Sequence, residues 1–68
     1  MTIGEAIKKA RKNRGLSRAQ LAKKSGVSLP TLSQWESDKS IPTVLLLSYV
    51  ADVLEMSIDD LIGRERRA

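Results

Sequence analysis

The 68-residue sequence contains no cysteine and no histidine. It can therefore form neither disulfides nor a thiolate metal site, and it lacks the imidazole that most often binds metals and transfers protons near neutral pH. A chain of this length makes at most one domain, with a small core and a thin stability margin. We accordingly expect no metal and no cofactor, and a fold held by packing with help from oligomerisation.

Long apolar runs are also absent. No segment approaches the roughly 20 apolar residues that a membrane span needs. Met1 leads directly into a charged helical pattern, which differs from that of a signal peptide. Together with the lack of cysteine, these features predict a cytoplasmic protein without a membrane partner.

The acidic residues do not suggest catalysis. Asp59 and Asp60 are adjacent at a predicted helix start, where carboxylates interact favourably with the helix dipole, and they do not form a converging acid–base pair. The sequence has no glycine-rich phosphate loop and no nucleophile with a histidine partner. We therefore expect no enzyme activity, and no small-molecule ligand is evident.

The basic residues are concentrated in the first part of the chain. Residues 1–39 carry nine lysines and arginines against three acids, for a charge of +6, whereas residues 40–68 carry three against five, for −2. A basic half of this kind favours a polyanion such as nucleic acid as the partner. Charge alone does not separate this interpretation from basic residues that only solvate helix surfaces.

Helix start signals recur at short intervals. Thr2 with Glu5 and Ser17 with Gln20 are capping boxes, in which side chains three residues apart satisfy free backbone N–H groups. Three later starts also carry a hydroxyl residue: Ser28, Thr43 and Ser57. Apolar residues follow at helical spacing, and no segment alternates with a period of two. The sequence predicts an all-α fold of five helices, at about residues 3–14, 18–25, 29–36, 44–54 and 58–63, with a frayed tail over 64–68.

The connection between the second and third helices is the most informative segment. Only Gly26 and Val27 fit between the end of one helix and the Ser28 cap of the next, so the chain must reverse sharply. Gly26 can adopt the positive φ that such a turn requires, and Ala22 is small enough for a close helix crossing. This pattern predicts a helix-turn-helix over about residues 17–37, whose second helix can lie in the major groove of DNA.

The same segment resembles a known family. The run from Leu16 to Glu36, with Leu-Ala in the second helix, Gly-Val-Ser at the turn and Thr-Leu-Ser-Gln-Trp-Glu in the third, is similar to Cro/C1-type (XRE family) helix-turn-helix domains of phage repressors. The similarity extends over about residues 3–63 and implies a compact lambda-repressor-like DNA-binding domain. Asp38 departs from the pattern, since the family usually has glycine just after the third helix, and aspartate tolerates the left-handed backbone better than most residues.

The resemblance implies that the exposed start of the third helix reads bases. Gln34 can pair bidentately with adenine, and the apolar Leu29 and Pro30 can contact thymine methyl groups. The alternatives are an ordinary solvated side chain for Gln34 and a helix start chosen for its geometry for the other two. The full set of expected base contacts is Leu29, Pro30, Thr31, Ser33 and Gln34.

Phosphate contacts are expected around this helix. Arg18 lies in the first turn of the second helix, beside N–H groups that favour an anion. The free N–H groups of Thr43 and Val44 can bind another phosphate. Ser17, Ser37, Lys39 and Ser40 match family positions that face the backbone. The full set of expected phosphate contacts is Ser17, Arg18, Ser37, Lys39, Ser40 and Thr43.

Two charged residues are expected to have a structural role. In the family a basic residue of the first helix pairs with the acid that ends the third, and Arg11 and Glu36 match these positions. The alternative is two independent surface charges. Trp35 is expected to pack in the core or at its rim, because one aromatic residue does not make a base-stacking surface.

The fourth predicted helix has more apolar residues than one buried face needs. Its inward-facing set is expected to be Val44, Leu47, Val50, Ala51 and Leu54. A second apolar line suggests a homodimer interface, because a monomer would normally make that face polar. The expected interface residues are Leu45, Tyr49, Val53, Met56 and Ile58. The alternative is that the fifth or first helix partly covers Tyr49 and Val53.

These features predict a sequence-specific regulator that binds double-stranded DNA. A repressor that acts as a homodimer on a pseudo-palindromic operator fits them best. Arg18, Gln34 and Lys39 favour this function, whereas the apolar Leu29 and Pro30 leave open a protein-interaction module, antitoxin-like or an adaptor, on the same fold.

Overall fold

Five helices follow one another along the chain. The computed structural model describes residues 2–66, with side chains up to residue 62. Every regular element in this range is helical, as the sequence predicts. The helices are α1 Ile3–Asn13, α2 Arg18–Ser25, α3 Leu29–Glu36, α4 Val44–Leu54 and α5 Ile58–Arg66. None of them is long and apolar enough to cross a membrane.

The predicted capping residues begin these helices. The Thr2 hydroxyl accepts from the Glu5 N–H at 3.1 Å, and the Glu5 carboxylate accepts from the Thr2 N–H at 2.8 Å. The bond from the Thr2 backbone N–H holds the pKa of Glu5 below its usual value, because it stabilises the ionised form. Ser17 and Gln20 make the same reciprocal pair at the start of α2.

The helix ends agree with the sequence in two places and differ in two. Gly26 ends α2 with a φ of 80°, and Asp38 adopts the left-handed conformation expected of it, with a φ of 62°. Glu55 ends α4 with a φ of 57°, which the sequence does not indicate. Helix α5 continues past Gly63 to Arg66, beyond its predicted end. A frayed tail over 64–68 stays a prediction, and residues 67 and 68 lie outside the described residues.

The core is built from one face of each helix. Helix α1 packs against α3 and α5, and α2 packs against α3 and α4. The largest fully buried side chains are Ile7, Leu21, Leu32, Val50, Leu54 and Leu61. Val44, expected to face inward, is 73% exposed, so that prediction is wrong. The other four members of its predicted stripe are buried.

The start of α1 is fixed to the end of α3. Gly4 lies so close to α3 that a β-carbon would overlap the carbonyl oxygen of Trp35 and lie 2.6 Å from the Asp38 carboxylate. The Thr2 hydroxyl donates to Asp38 Oδ2 at 3.1 Å. The glycine therefore allows a close approach of two backbones, and Asp38 links the turn after α3 to the cap of α1.

Candidate nucleic-acid interface

The turn between α2 and α3 has the geometry of a helix-turn-helix. The Gly26 N–H donates to Ala22 O at 2.9 Å, and its left-handed backbone reverses the chain. Ser28 then caps α3, where Pro30 occupies the first turn and loses no intrahelical hydrogen bond. Leu21 and Leu32 are fully buried and Val27 nearly so, which holds the two helices together through the core.

The predicted base-contact residues lie at the exposed side and the flank of α3. Leu29 is 43% exposed, and Pro30 and Gln34 are also exposed. Thr31 and Ser33 are half-buried, and the Thr31 hydroxyl accepts from Ser28 Oγ at 2.7 Å. The opposite side of the helix is closed, since Leu32, Trp35 and Glu36 are buried. An outward face of this kind is accessible to a groove of duplex DNA.

A buried ion pair fixes the orientation of α3. Arg11 Nε donates to Glu36 Oε2 at 2.8 Å and Nη2 donates to Oε1 at 3.1 Å, a bidentate geometry. The third bond of Arg11 runs from Nη1 to Leu16 O at 2.8 Å. The two side chains are only 8% and 4% exposed. One guanidinium group thus joins α1, Leu16 just before α2, and α3. Trp35, which precedes Glu36 in the sequence, is buried as well.

Arg18 shares the same carboxylate. Its Nε lies 3.6 Å from Glu36 Oε1, while 49% of its side chain remains exposed. The contact restrains Arg18 without burying it. An arginine held in this way can present its other N–H groups to an anion with little loss of side-chain entropy.

The hydroxyl groups expected to contact phosphates differ in whether their protons are already used in hydrogen bonds within the protein. Ser17 Oγ accepts from the Gln20 N–H and Thr43 Oγ1 accepts from the Leu46 N–H, so these bonds use oxygen lone pairs and not the hydroxyl protons. Ser37 Oγ donates to Ser33 O at 2.8 Å, so its proton is directed into the helix. Of the two remaining residues, Lys39 is exposed and Ser40 is half-buried.

One basic residue near this surface is not predicted from the sequence. Lys8 of α1 lines a depression of about 180 Å³ with Arg18, Ser33, Glu36 and Ser37, so α1, α2 and α3 all contribute to it. A sequence signal exists, because Lys8 precedes Arg11 by three positions and therefore lies near it on the helix surface. Using that signal requires knowing that Arg11 faces α3.

The apolar surface of α4 differs from the expected one. Leu45 and Tyr49 are exposed, but Val53, Met56 and Ile58 are half-buried and pack against the core. For Val53 this favours the alternative of intramolecular cover. Two residues outside the predicted set are strongly exposed instead. We define the α4 apolar patch as Ile41, Val44, Leu45 and Tyr49.

Comparison with known proteins decides the family. The helix-turn-helix family model HTH_3 matches residues 7–61, which include the whole α2–α3 unit. The chain belongs to this family. The resemblance to Cro/C1-type domains seen in the sequence is thereby confirmed.

Relatives of this HTH_3 chain carry repressor names. It is 41% identical over 64 residues to the cryptic phage CTXphi transcriptional repressor RstR of Vibrio cholerae, covering 94% of this chain and 57% of RstR. It is 37% identical over 65 residues to the immunity repressor of Bacillus phage phi105, covering 96% of this chain and 45% of that protein. The chain thus spans about half the length of these relatives.

A solved structure shows the same arrangement of helices. The crystal structure of SinR, the master regulator for biofilm formation, in complex with DNA superposes with a TM-score of 0.87 at 37% identity. The match covers 90% of this HTH_3 chain and 98% of the SinR chain in that structure. The lambda-repressor-like five-helix fold is confirmed at this level of similarity.

Proposed function

We propose that the protein is a transcriptional repressor that binds specific sequences in double-stranded DNA with α3 in the major groove. The observation that carries this proposal is the outward face of α3, held by a buried ion pair and flanked by the exposed basic residues Arg18 and Lys39. The repressor names of its relatives and the DNA complex of SinR support it.

One feature favours a competing function. Leu29 presents an apolar side chain at the start of α3, as a surface that binds another protein would. A mobility-shift titration with random-sequence duplex DNA at increasing salt separates the two functions. Steep loss of affinity with salt supports DNA binding, because each phosphate contact releases counterions. No shift at low salt would favour the protein-interaction module.

Replacing Gln34 with alanine is expected to relax base preference at a single operator position. The exposed amide can donate to and accept from adenine, and its loss should cost about 1–3 kcal/mol at that base pair. Selection of bound sites from a random duplex pool gives the operator for the unmodified protein and for the variant. Identical sequence preferences at every position would refute the assignment. Lys23→Ala, on an exposed part of α2, is the control for nonspecific change.

We further propose that the repressor acts as a homodimer through the α4 apolar patch. The four apolar side chains of this patch are exposed, and they lie together on or next to one helix. A small domain gains stability when a second subunit covers such an apolar surface. A symmetric partner with the same patch would be complementary to it. The dimer would place two recognition helices about 34 Å apart and read a pseudo-palindrome.

Replacing Leu45 with glutamate is expected to dissociate this dimer. The charge would be buried without a partner in the interface, so the dissociation constant should rise by at least about tenfold, equivalent to about 1.4 kcal/mol. Sedimentation equilibrium without DNA measures it. Leu29→Glu, which places the same charge at an exposed apolar site on α3, should leave the dimer intact. Equal effects of the two substitutions, or a monomeric unmodified protein, would contradict the proposed interface.

A further inference from the structure

The depression between α1, α2 and α3 presents net positive charge. Glu36 contributes its only carboxylate, and both oxygens of that group already accept from Arg11. The charges of this buried pair largely cancel. Lys8 and Arg18 add two exposed positive charges, and the one carboxylate that Arg18 contacts is already paired with Arg11. The depression therefore attracts an anion although it contains an acid.

The donors in this depression match the chemistry of a phosphodiester. Arg18 touches Glu36 through Nε, which leaves its terminal N–H groups for a second acceptor. Lys8 adds a flexible ammonium group from α1, and Ser33 adds a hydroxyl group from α3. A cation pair with a hydroxyl donor is a typical set of ligands for a phosphate oxygen.

The position of the depression on α3 also indicates the DNA backbone. Pro30 and Gln34 are four residues apart and form one exposed line along the helix, whereas Ser33 and Ser37 form the neighbouring line that lines the depression. When the first line faces the floor of the major groove, the second faces its wall. The wall of the groove is the phosphate backbone, which the helix preceding the recognition helix crosses.

We propose that Lys8 and Arg18 clamp one backbone phosphate of duplex DNA in this depression, against the Ser33–Ser37 side of α3. This inference rests on the proposed function. It adds α1 to the DNA-binding surface and moves Ser33 from the bases to the backbone. It also gives Glu36 a positioning role, because one carboxylate orients α3 through Arg11 and the clamp through Arg18.

Replacing Lys8 with alanine tests the clamp. The slope of log K against log salt concentration should become shallower by about one unit, so the loss of affinity between 50 and 200 mM NaCl should shrink about fourfold. Fluorescence anisotropy with the selected operator and with random duplex should show the same change. Lys9→Ala is the matched control, since Lys9 is the exposed neighbour that lines a different groove, next to α4 and α5.

A second measurement asks whether both cations hold one phosphate. Operators with a single neutral methylphosphonate at successive positions locate the phosphates that the unmodified protein needs. At one phosphate, the methylphosphonate should weaken DNA binding by the unmodified protein but have little further effect on DNA binding by Lys8→Ala or by Arg18→Ala. The clamp would be overturned if Lys8→Ala and Lys9→Ala had the same salt slope. It would also be overturned if Lys8→Ala and Arg18→Ala became insensitive to methylphosphonate at different phosphates. Either result would leave DNA binding itself intact. Absence of duplex binding by the unmodified protein would overturn both proposals.

Discussion

Replacing Arg11 with methionine is expected to lower the free energy of unfolding by up to about 3–5 kcal/mol, because the buried Glu36 carboxylate then keeps only its longer contact with the half-exposed Arg18. Glu36 has a side chain only 4% exposed, and it loses both of its bidentate hydrogen bonds in this variant. The Leu16 carbonyl loses its donor as well. Urea denaturation followed by the fluorescence of the buried Trp35 measures the change.

Two further variants make this prediction testable even if Arg11→Met does not fold, since the expected loss approaches the whole stability of a domain this small. The double variant Arg11→Met with Glu36→Leu removes both charges and should recover most of the loss. Arg14→Met breaks the exposed pair between Arg14 and Glu55 and should cost no more than about 1 kcal/mol. If Arg11→Met were no less stable than Arg14→Met, the pair would not be what fixes α3.

The local elements of this fold can be predicted because their causes are local. A capping box needs only Thr2 and Glu5, or Ser17 and Gln20, three residues apart in sequence. The left-handed turn needs Gly26, and Asp38 is among the few other residues that accept such a backbone. These short-range preferences place the starts of the helices and the turn that forms the helix-turn-helix.

The errors have a different origin. Helical periodicity places Val44 on the same side as Leu47 and Ala51, but it does not say how far along α4 the neighbouring helices reach. Val44 is the first residue of α4, and its side chain remains uncovered. The sequence also predicts that Gly63 ends α5, but glycine in a helix interior costs only about 1 kcal/mol relative to alanine, which other interactions can offset.

In the candidate site, too, features with local causes can be predicted, whereas features that depend on packing between helices cannot. The resemblance to a family supplies the exposed residues of α3 and the pairing of Arg11 with Glu36, because those positions follow from matching motifs. Lys8 is missed because it joins the site only through the packing of α1 on α3. The contact of Arg18 with Glu36 likewise depends on three helices meeting at one carboxylate. Long-range placement is the information that a single sequence lacks.

Replacing Gly4 with alanine is expected to destabilise the protein, although the same change inside a helix usually stabilises by about 0.5–1 kcal/mol. The new β-carbon would overlap the backbone carbonyl of Trp35, which cannot move aside as a flexible side chain would. Helix α1 must shift away from α3, at a cost of about 1–3 kcal/mol or more. Thermal and urea unfolding measure the loss.

The controls for Gly4→Ala separate the steric cause from other effects. Asp38→Gly removes the nearby carboxylate but leaves the Trp35 carbonyl in place, so it should not rescue Gly4→Ala. Gly15→Ala has open space around the new methyl group and should show only the cost of its left-handed backbone, about 1–2 kcal/mol. Because Lys8 and Arg11 shift with α1, Gly4→Ala should also weaken DNA binding under conditions in which it is folded. A variant as stable as the unmodified protein would show that α1 and α3 do not approach this closely.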